Sequence, residues 1–370
     1  MDNQPETTPT LPEEDSIAVL RQQVEAARLK PDLPGLSSAL GALGRALLTN
    51  RNPLEGLTCF DEAVHIAQET GDAEAEARHL GNQGIALAQI GNYGLAVRSF
   101  RKAYGIAQRL GHPPLIYDTL IHIAELEKDR ENYEGALSSL EEALQIAEEK
   151  GNEGPQLKVH LLLGNIHWKL EEFDPAVDHY QAALRLATAL EDNQAKLESL
   201  HNLGALAKSR GETAQAVTYY QQAREIQVEG ENPRLDLILW AQLGDALLDS
   251  GNIPQAMDAY HKALHIAHDL EDGPSEARLL GSLGIVQAEL GDQDGSAQSA
   301  DRAVALARET GQVQLLGEQL LLQAYAYYDL DRMDVAQSAC LEAVGIFEKI
   351  EASSLLDRAN DLLEEIQEQD

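Results

Sequence analysis

The chain has 370 residues and a formal net charge of −34 at pH 7, and 44% of its residues are hydrophobic but only 5% aromatic. So acidic a surface repels phosphate backbones, which argues against nucleic-acid binding, although it would steer a basic protein partner. No apolar run approaches the roughly 20 residues that span a bilayer, so no membrane insertion is expected.

The first segment, residues 1–15, is polar and acidic and is predicted to be a disordered tail. It lacks the basic start and the apolar run of a signal peptide. The two cysteines, Cys59 and Cys340, both fall in helical patterns among apolar neighbours. We therefore expect free core thiols rather than a disulfide, and a reducing, cytoplasmic setting.

After the tail, the sequence repeats with a period of 40 residues, as from Gly44 to Gly84. A small residue marks each first-lattice position: Gly44, Gly84, Ala124, Gly164, Gly204, Gly244, Gly284 and Ala324. A second lattice lies 19 residues downstream: Ala63, Ala103, Ala143, Ala183, Ala223, Ala263, Ala303 and Ala343. Periods of about 20–50 residues are typical of stacked structural repeats.

Residues 73–112 show how one repeat is built. Asp72 is a suitable N-cap, and helical periodicity then continues until Gly91. A second helix is predicted from Tyr93 up to Gly111. Alanine and leucine are abundant and no segment alternates β-branched residues, so the whole chain is predicted to be all-α.

The same cap and turn residues recur along residues 16–352, which we predict to form one array of repeats. The array begins with a half-repeat and is followed by a capping helix, 353–370. The half-repeat corresponds to the second helix of a repeat whose first helix is missing. The predicted boundaries are 16–32 for the half-repeat and then 33–72, 73–112, 113–152, 153–192, 193–232, 233–272, 273–312 and 313–352.

The repeat resembles the tetratricopeptide repeat (TPR) family, with Leu-Gly motifs in the first helix and Ala, an aromatic and Ala in the second. The resemblance implies a right-handed α-solenoid superhelix of antiparallel helix pairs. The usual TPR period is about 34 residues. The longer period, and residues 76–82 and 276–282, are similar to Partner-of-Inscuteable-type scaffold proteins. HEAT arrays also have two-helix repeats of this length, but the recurring Gly/Ala pair favours TPR.

The resemblance implies that a partner binds the concave side, which the first helices line. The relevant positions, which we call the binding columns, are six and two residues before each first-lattice residue, and one and four after it. A solvated surface is the alternative for any single side chain. The predicted partner-binding residues are Arg78, Asn82, Asp118, His122, Glu125, Lys158, Asn165, Glu198, Asn202, Lys208, Gln242, Asp245, Arg278 and Ser282.

These positions have mixed polarity. Asn amides can donate and accept hydrogen bonds at once, and so can bind an extended peptide backbone. Arg and Lys can pair with carboxylates. The acidic Asp118 and Glu125 interrupt the basic residues, so the pattern does not match the carboxylate-clamp type of TPR domain.

No phosphate-binding, nucleophile-elbow, zinc-protease or EF-hand motif occurs, so neither an enzyme nor a cofactor is predicted. His261, His265 and His268 have spacing that could hold a metal, but no further ligand stands at an obvious position, which favours an ordinary helix surface.

The sequence therefore predicts a non-catalytic scaffold or adaptor that binds a peptide or helical segment of another protein. Two alternatives stay open: a regulatory module that senses a peptide or metabolite, and a self-assembling structural protein. The chain is expected to be a monomer, and the N-terminal half-repeat is where a dimer would form.

Overall fold

The computed structural model describes residues 13–227 and 231–369. Every regular element within these residues is an α-helix, which confirms the predicted all-α fold of consecutive helix pairs. Most of the predicted tail, 1–15, lies outside the described residues. The first helix begins at Glu13 rather than at residue 16. Residues 13–15 are all acidic, and acidic residues favour the first turn of a helix.

The chain divides into two compact units, Met1–Leu186 and Ala187–Asp370. The helices of the first unit are α1 (Glu13–Arg28), α2 (Leu33–Thr49), α3 (Pro53–Thr70), α4 (Ala73–Gln89), α5 (Tyr93–Leu110), α6 (Pro113–Asp129), α7 (Tyr133–Glu149) and α8 (Glu153–Lys169). Helix α9 (Phe173–Ala189) begins in the first unit and ends in the second.

The helices of the second unit are α10 (Asn193–Ser209), α11 (Thr213–Ile226), α12 (Pro233–Asp249), α13 (Ile253–Asp269), α14 (Gly273–Glu289), α15 (Gln293–Thr310), α16 (Val313–Tyr328), α17 (Met333–Lys349) and α18 (Ser353–Gln369). The even-numbered helices from α2 to α16 are the first helices of the pairs, and the odd-numbered helices from α3 to α17 are the second.

Short polar turns separate the helices. The Asp72 carboxylate accepts a hydrogen bond from the Ala75 amide at 2.9 Å and so caps the start of α4. Gly111 follows the last residue of α5 and terminates the helix. Its φ of 58° lies in the left-handed region that glycine adopts without a Cβ clash. At other turns a larger residue adopts the same conformation, such as Glu131 with a φ of 59°.

In five helix pairs a lattice glycine of the first helix packs against an aromatic ring of the second. Gly84 on α4 faces Phe100 on α5, and the Cβ that Gly84 lacks would lie 2.6 Å from the Phe100 ring. The Phe100 side chain is only 2% exposed. The glycine therefore brings the two helices close enough for the ring to fill the space between them.

Both cysteines are free and buried, as predicted. The Cys340 thiol donates to the Ala359 carbonyl oxygen of α18 at 3.0 Å, and burial raises the pKa of Cys340 to about 11. In the part of the chain that the structure describes, no helix has the length and apolarity to cross a bilayer.

Candidate functional site

In the first unit, the predicted residues of α6 and α8 form one polar network. Glu125 lies at its centre, with one carboxylate oxygen 3.4 Å from His122 Nδ1 and the other 3.8 Å from Lys158 Nζ. The His122 ring also stacks on Phe100, with ring centroids 5.7 Å apart. The hydrogen bond from His122 lowers the pKa of Glu125, and the Lys158 charge contributes in the same direction. The network therefore links neighbouring first helices.

The other predicted residues of the first unit are more separate. Arg78 is paired on its own helix, with its guanidinium 2.5 Å from the Glu74 carboxylate. It lines a cleft of about 160 Å³ between α2 and α4. Asn82 is half-buried, and its amide nitrogen has no hydrogen-bond partner among the described residues. Asp118 is exposed at the edge of a different cleft, of about 270 Å³, beside Tyr117.

Two predicted residues also have a structural role. The Tyr180 hydroxyl donates to Asn165 Oδ1 at 2.7 Å, and the Tyr260 hydroxyl donates to Asp245 Oδ1 at 2.8 Å. Asn165 and Asp245 both follow a first-lattice glycine, so the same bond recurs in the two units. Each polar side chain therefore satisfies a buried tyrosine hydroxyl, in addition to any contact with a partner.

In the second unit, Lys208 and Asp245 meet across α10 and α12. Lys208 Nζ lies 2.9 Å from Asp245 Oδ2 and 3.6 Å from Asp249 Oδ2. Since Asp245 also accepts from Tyr260, its carboxylate links three helices. Asp245 therefore shares the single positive charge of Lys208 with Asp249 before any partner binds.

Three further predicted residues are not brought together. Glu198 is exposed on α10, although desolvation raises its pKa. Asn202 Oδ1 lies 3.3 Å from Nδ1 of the adjacent His201. Gln242 is half-buried on α12, and its Oε1 atom has no hydrogen-bond partner within the described part of the chain.

A cleft with a volume of about 390 Å³ lies between α12 and α14. We call it the α12–α14 cleft. Leu237 and Leu279 form its buried floor, and Ile238 is 45% exposed beside them. The residues that line it are Arg234, Leu237, Ile238, Ala241, Asp245, Asp272, Ser275, Arg278, Leu279 and Ser282. Three predicted residues, Asp245, Arg278 and Ser282, therefore share one cleft.

Positive charge is available at this cleft. Among the described residues, neither Arg234 nor Arg278 has a carboxylate within 4.0 Å. Asp272 accepts hydrogen bonds from the amide and hydroxyl of Ser275, at 3.2 and 2.9 Å, at the start of α14. Two guanidinium groups beside an apolar floor can bind a carboxylate that adjoins an apolar side chain.

Sequence reasoning missed Arg234 and Ile238. Ile238 lies six residues before Gly244 and so occupies a predicted binding column, but only polar residues in that column were selected. Arg234 lies in the first turn of α12, outside all four columns. Ile238 could have been predicted from the sequence, because it is an apolar residue in a binding column. No feature of the sequence indicated Arg234.

The three histidines on α13 are exposed on the helix surface. His265 Nδ1 lies 3.0 Å from Asp269 Oδ2, an i,i+4 contact on an exposed helix surface. Within residues 13–227 and 231–369, no group of three or more His, Cys, Asp or Glu side chains could hold a metal ion.

Solved structures share this fold at low sequence identity. A STAND ATPase protein with a tetratricopeptide repeat sensor, from Pyrococcus horikoshii, matches with a TM-score of 0.63 and 14% identity, over 89% of this chain and 49% of that one. The chain thus spans about half the length of that protein. The apo quorum sensor NprR from B. thuringiensis matches with a TM-score of 0.59 and 14% identity, over 90% of this chain and 96% of that one.

A third structure, aspartyl phosphate phosphatase F from Bacillus subtilis, has a TM-score of 0.56 and 14% identity, over 92% of this chain and 96% of that one. No curated protein matches the chain in sequence. The family model for anaphase-promoting complex subunit 5 matches residues 14–77. The model for the MalT-like TPR region matches residues 61–356, which is most of the chain. The chain therefore belongs to the family of MalT-like TPR regions.

Proposed function

We propose that the chain is a non-catalytic interaction module, and that the first-helix faces of its units bind a segment of a partner protein. One observation carries the proposal: the α12–α14 cleft combines two guanidinium groups without carboxylate partners among the described residues and an exposed Ile238. Ile238 is 45% exposed beside the buried floor, so the cleft offers a partner apolar contact next to the two charges.

The cleft and the whole surface favour different charges on the partner. The net charge of −34 attracts a basic segment from a distance. Arg234 and Arg278 instead suit a carboxylate at short range. A segment that is basic overall, with one acidic group next to an apolar side chain, satisfies both requirements.

Affinity capture from a cell lysate, followed by mass spectrometry, tests the proposal. The intact chain is compared with a double variant, Arg234→Ala with Arg278→Ala. The matched control is Arg98→Ala with Arg101→Ala, which removes two exposed arginines from α5. We expect the partner to be captured by the intact chain and by the control, but not by the cleft variant. Equal capture by all three proteins would show that the α12–α14 cleft is not the binding surface.

A ligand-sensing regulatory module is the second candidate. Two of the proteins with this fold are described as a sensor or as containing one, and the α12–α14 cleft has the volume of a small-ligand site. A thermal-shift screen with short peptides and metabolites separates the two functions, because a ligand that binds only the folded chain raises its melting temperature.

The setting of this function is also proposed. Buried free cysteines support a reducing compartment such as the cytoplasm. Sedimentation at several protein concentrations tests the expected monomer. The likeness to Partner-of-Inscuteable-type scaffolds stays a prediction, since the family model that matches most of the chain is the MalT-like one.

A further inference from the structure

The packing of aromatic rings on lattice glycines is interrupted once. Five first-lattice glycines have an aromatic residue sixteen positions later. At each of them, the missing Cβ would lie between 2.6 and 2.8 Å from ring atom Cε1, so the ring occupies that space. The pairs are Gly44–Phe60, Gly84–Phe100, Gly164–Tyr180, Gly204–Tyr220 and Gly244–Tyr260.

At Gly284 the glycine is kept but the ring is absent, because the residue sixteen positions later is Ala300. The atom nearest to the missing Cβ is the Ser296 carbonyl oxygen, at 3.3 Å. A cleft of about 280 Å³ opens beside this position, between α14 and α16. We call it the α14–α16 cleft, and its walls include Gly284, Ile285, Ala288, Ala300, Leu322 and Tyr325.

The walls of this cleft combine apolar side chains with polar groups. Ile285 is 39% exposed in the middle of α14, and Leu322 and Tyr325 are half-buried opposite it. Four of its residues, Ile285, Ala288, Leu322 and Tyr325, occupy the predicted binding columns. An apolar cavity of about 150 Å³ is enough to hold a benzene molecule. The cleft can therefore receive an aromatic side chain from outside.

The polar groups at the edge indicate what accompanies that side chain. Glu289 and Asp329 outnumber Arg358, so the rim is acidic and complements basic neighbours.

We propose that the α14–α16 cleft binds an aromatic side chain of the partner segment, flanked by basic residues. The bound ring would lie beside a helix pair in which the chain supplies no Phe or Tyr of its own at this position. This inference rests on the proposed function, because it names the chemistry of one part of the segment.

Methyl NMR of the full chain tests the proposal, with the Leu322 methyl groups as reporters. The probe is the peptide acetyl-Lys-Trp-Lys-amide. Two comparison peptides replace Trp by Ala, or both Lys by Glu. We expect a saturable Leu322 shift with the Trp peptide, weaker binding of the acidic peptide, and no saturable shift with the Ala peptide. Equal responses to the Trp and Ala peptides, or no Leu322 response, would overturn the proposal.

Three uncharged substitutions locate the binding. Ile285→Asn removes the apolar wall and is expected to weaken binding of the Trp peptide roughly tenfold. Leu341→Asn is the matched control, since Leu341 is 51% exposed on α17 and does not line the cleft. Unchanged binding by Ile285→Asn would contradict the assignment.

Ile238→Asn distinguishes this proposal from the proposed function. It alters the α12–α14 cleft and is expected to reduce partner capture without affecting the Leu322 shift. If Arg234→Ala with Arg278→Ala abolishes capture while the Trp peptide leaves Leu322 unchanged, the interaction module stands and the aromatic site does not. A Leu322 response together with undiminished capture by that double variant would support the aromatic site and contradict binding at the α12–α14 cleft.

Discussion

At the scale of single residues, the most informative buried polar group is His79 on α4. It is 3% exposed, and its Nε2 atom lies 3.0 Å from the Ser37 hydroxyl oxygen. That hydroxyl donates its only proton to the Ala63 carbonyl oxygen at 3.1 Å. Nε2 must therefore carry the ring proton and donate it to Ser37. His79 thus connects α4 to α2 and, through the Ser37 hydroxyl, to α3.

This arrangement predicts a loss of stability in acid. Burial lowers the pKa of His79 to about 4, and the charges of Arg78 and Arg45 contribute to the shift. In the unfolded chain the pKa is about 6.5. As the pH falls from about 6.5 toward 4, the unfolded chain binds a proton that the folded chain does not, so the free energy of unfolding decreases.

The urea midpoint between about pH 7 and pH 5 measures this effect. We expect His79→Gln to reduce the fall in midpoint, because the titrating ring is gone. His65→Gln is the matched control, since the His65 side chain is 71% exposed. If the urea midpoint fell equally with pH in the wild type and in both variants, His79 would not be the source of the lost stability. Part of the fall in midpoint is expected to remain in His79→Gln, because burial also lowers the pKa of His179 to about 4.

At the scale of helices, the contact between glycine and aromatic ring sets how closely a pair packs. In Gly204→Ala the new Cβ would lie 2.8 Å from Tyr220 Cε1, so either the ring or α11 must move. Such overpacking costs about 1–3 kcal/mol of unfolding free energy. Gly81→Ala is the matched control, since its Cβ would meet nothing within 4 Å.

The control is expected to act in the opposite direction. Alanine is favoured over glycine in a helix interior, so Gly81→Ala should raise the unfolding free energy by about 0.5–1 kcal/mol. Urea denaturation followed by circular dichroism measures both variants. If Gly204→Ala were as stable as Gly81→Ala, the close approach of α10 and α11 would not depend on the glycine.

Most helix ends were predictable from the sequence because their turn residues have one physical role. Gly91 and Gly111, for example, adopt the left-handed conformation, with φ of 78° and 58°. The turns that use larger residues were harder to predict. Glu131, Glu271 and Asp331 adopt φ between 52° and 59°, which neither charge nor hydropathy indicates. Their conformation follows from the repeat geometry rather than from local preference.

The candidate site was predictable in part. Counting from the lattice found Asp245, Arg278 and Ser282, which do line one cleft. The same counting could not show that Asp245 is already bonded to Tyr260 and Lys208, because those bonds depend on side-chain conformation across helices. The missing ring at Ala300 is visible in the sequence, but the cleft beside it is visible only in the structure.

At the scale of the whole molecule, the dominant feature is the excess of 62 acidic over 28 basic side chains. Folding brings these charges closer together, so their mutual repulsion destabilises the folded chain. Partly exposed ion pairs such as Arg28–Glu62 and Arg308–Glu342 contribute little against this repulsion.

Added NaCl is therefore expected to stabilise the chain. Raising the salt concentration from about 0.01 M to about 0.15 M shortens the screening length from roughly 30 Å to roughly 8 Å. We expect the melting temperature to rise over this range. The control is the same titration near pH 4, where many carboxylates are protonated and the rise should be smaller. A melting temperature that falls with salt at pH 7 would mean that ion pairs outweigh the repulsion. A rise would indicate repulsion of the kind that a basic partner segment relieves when it binds.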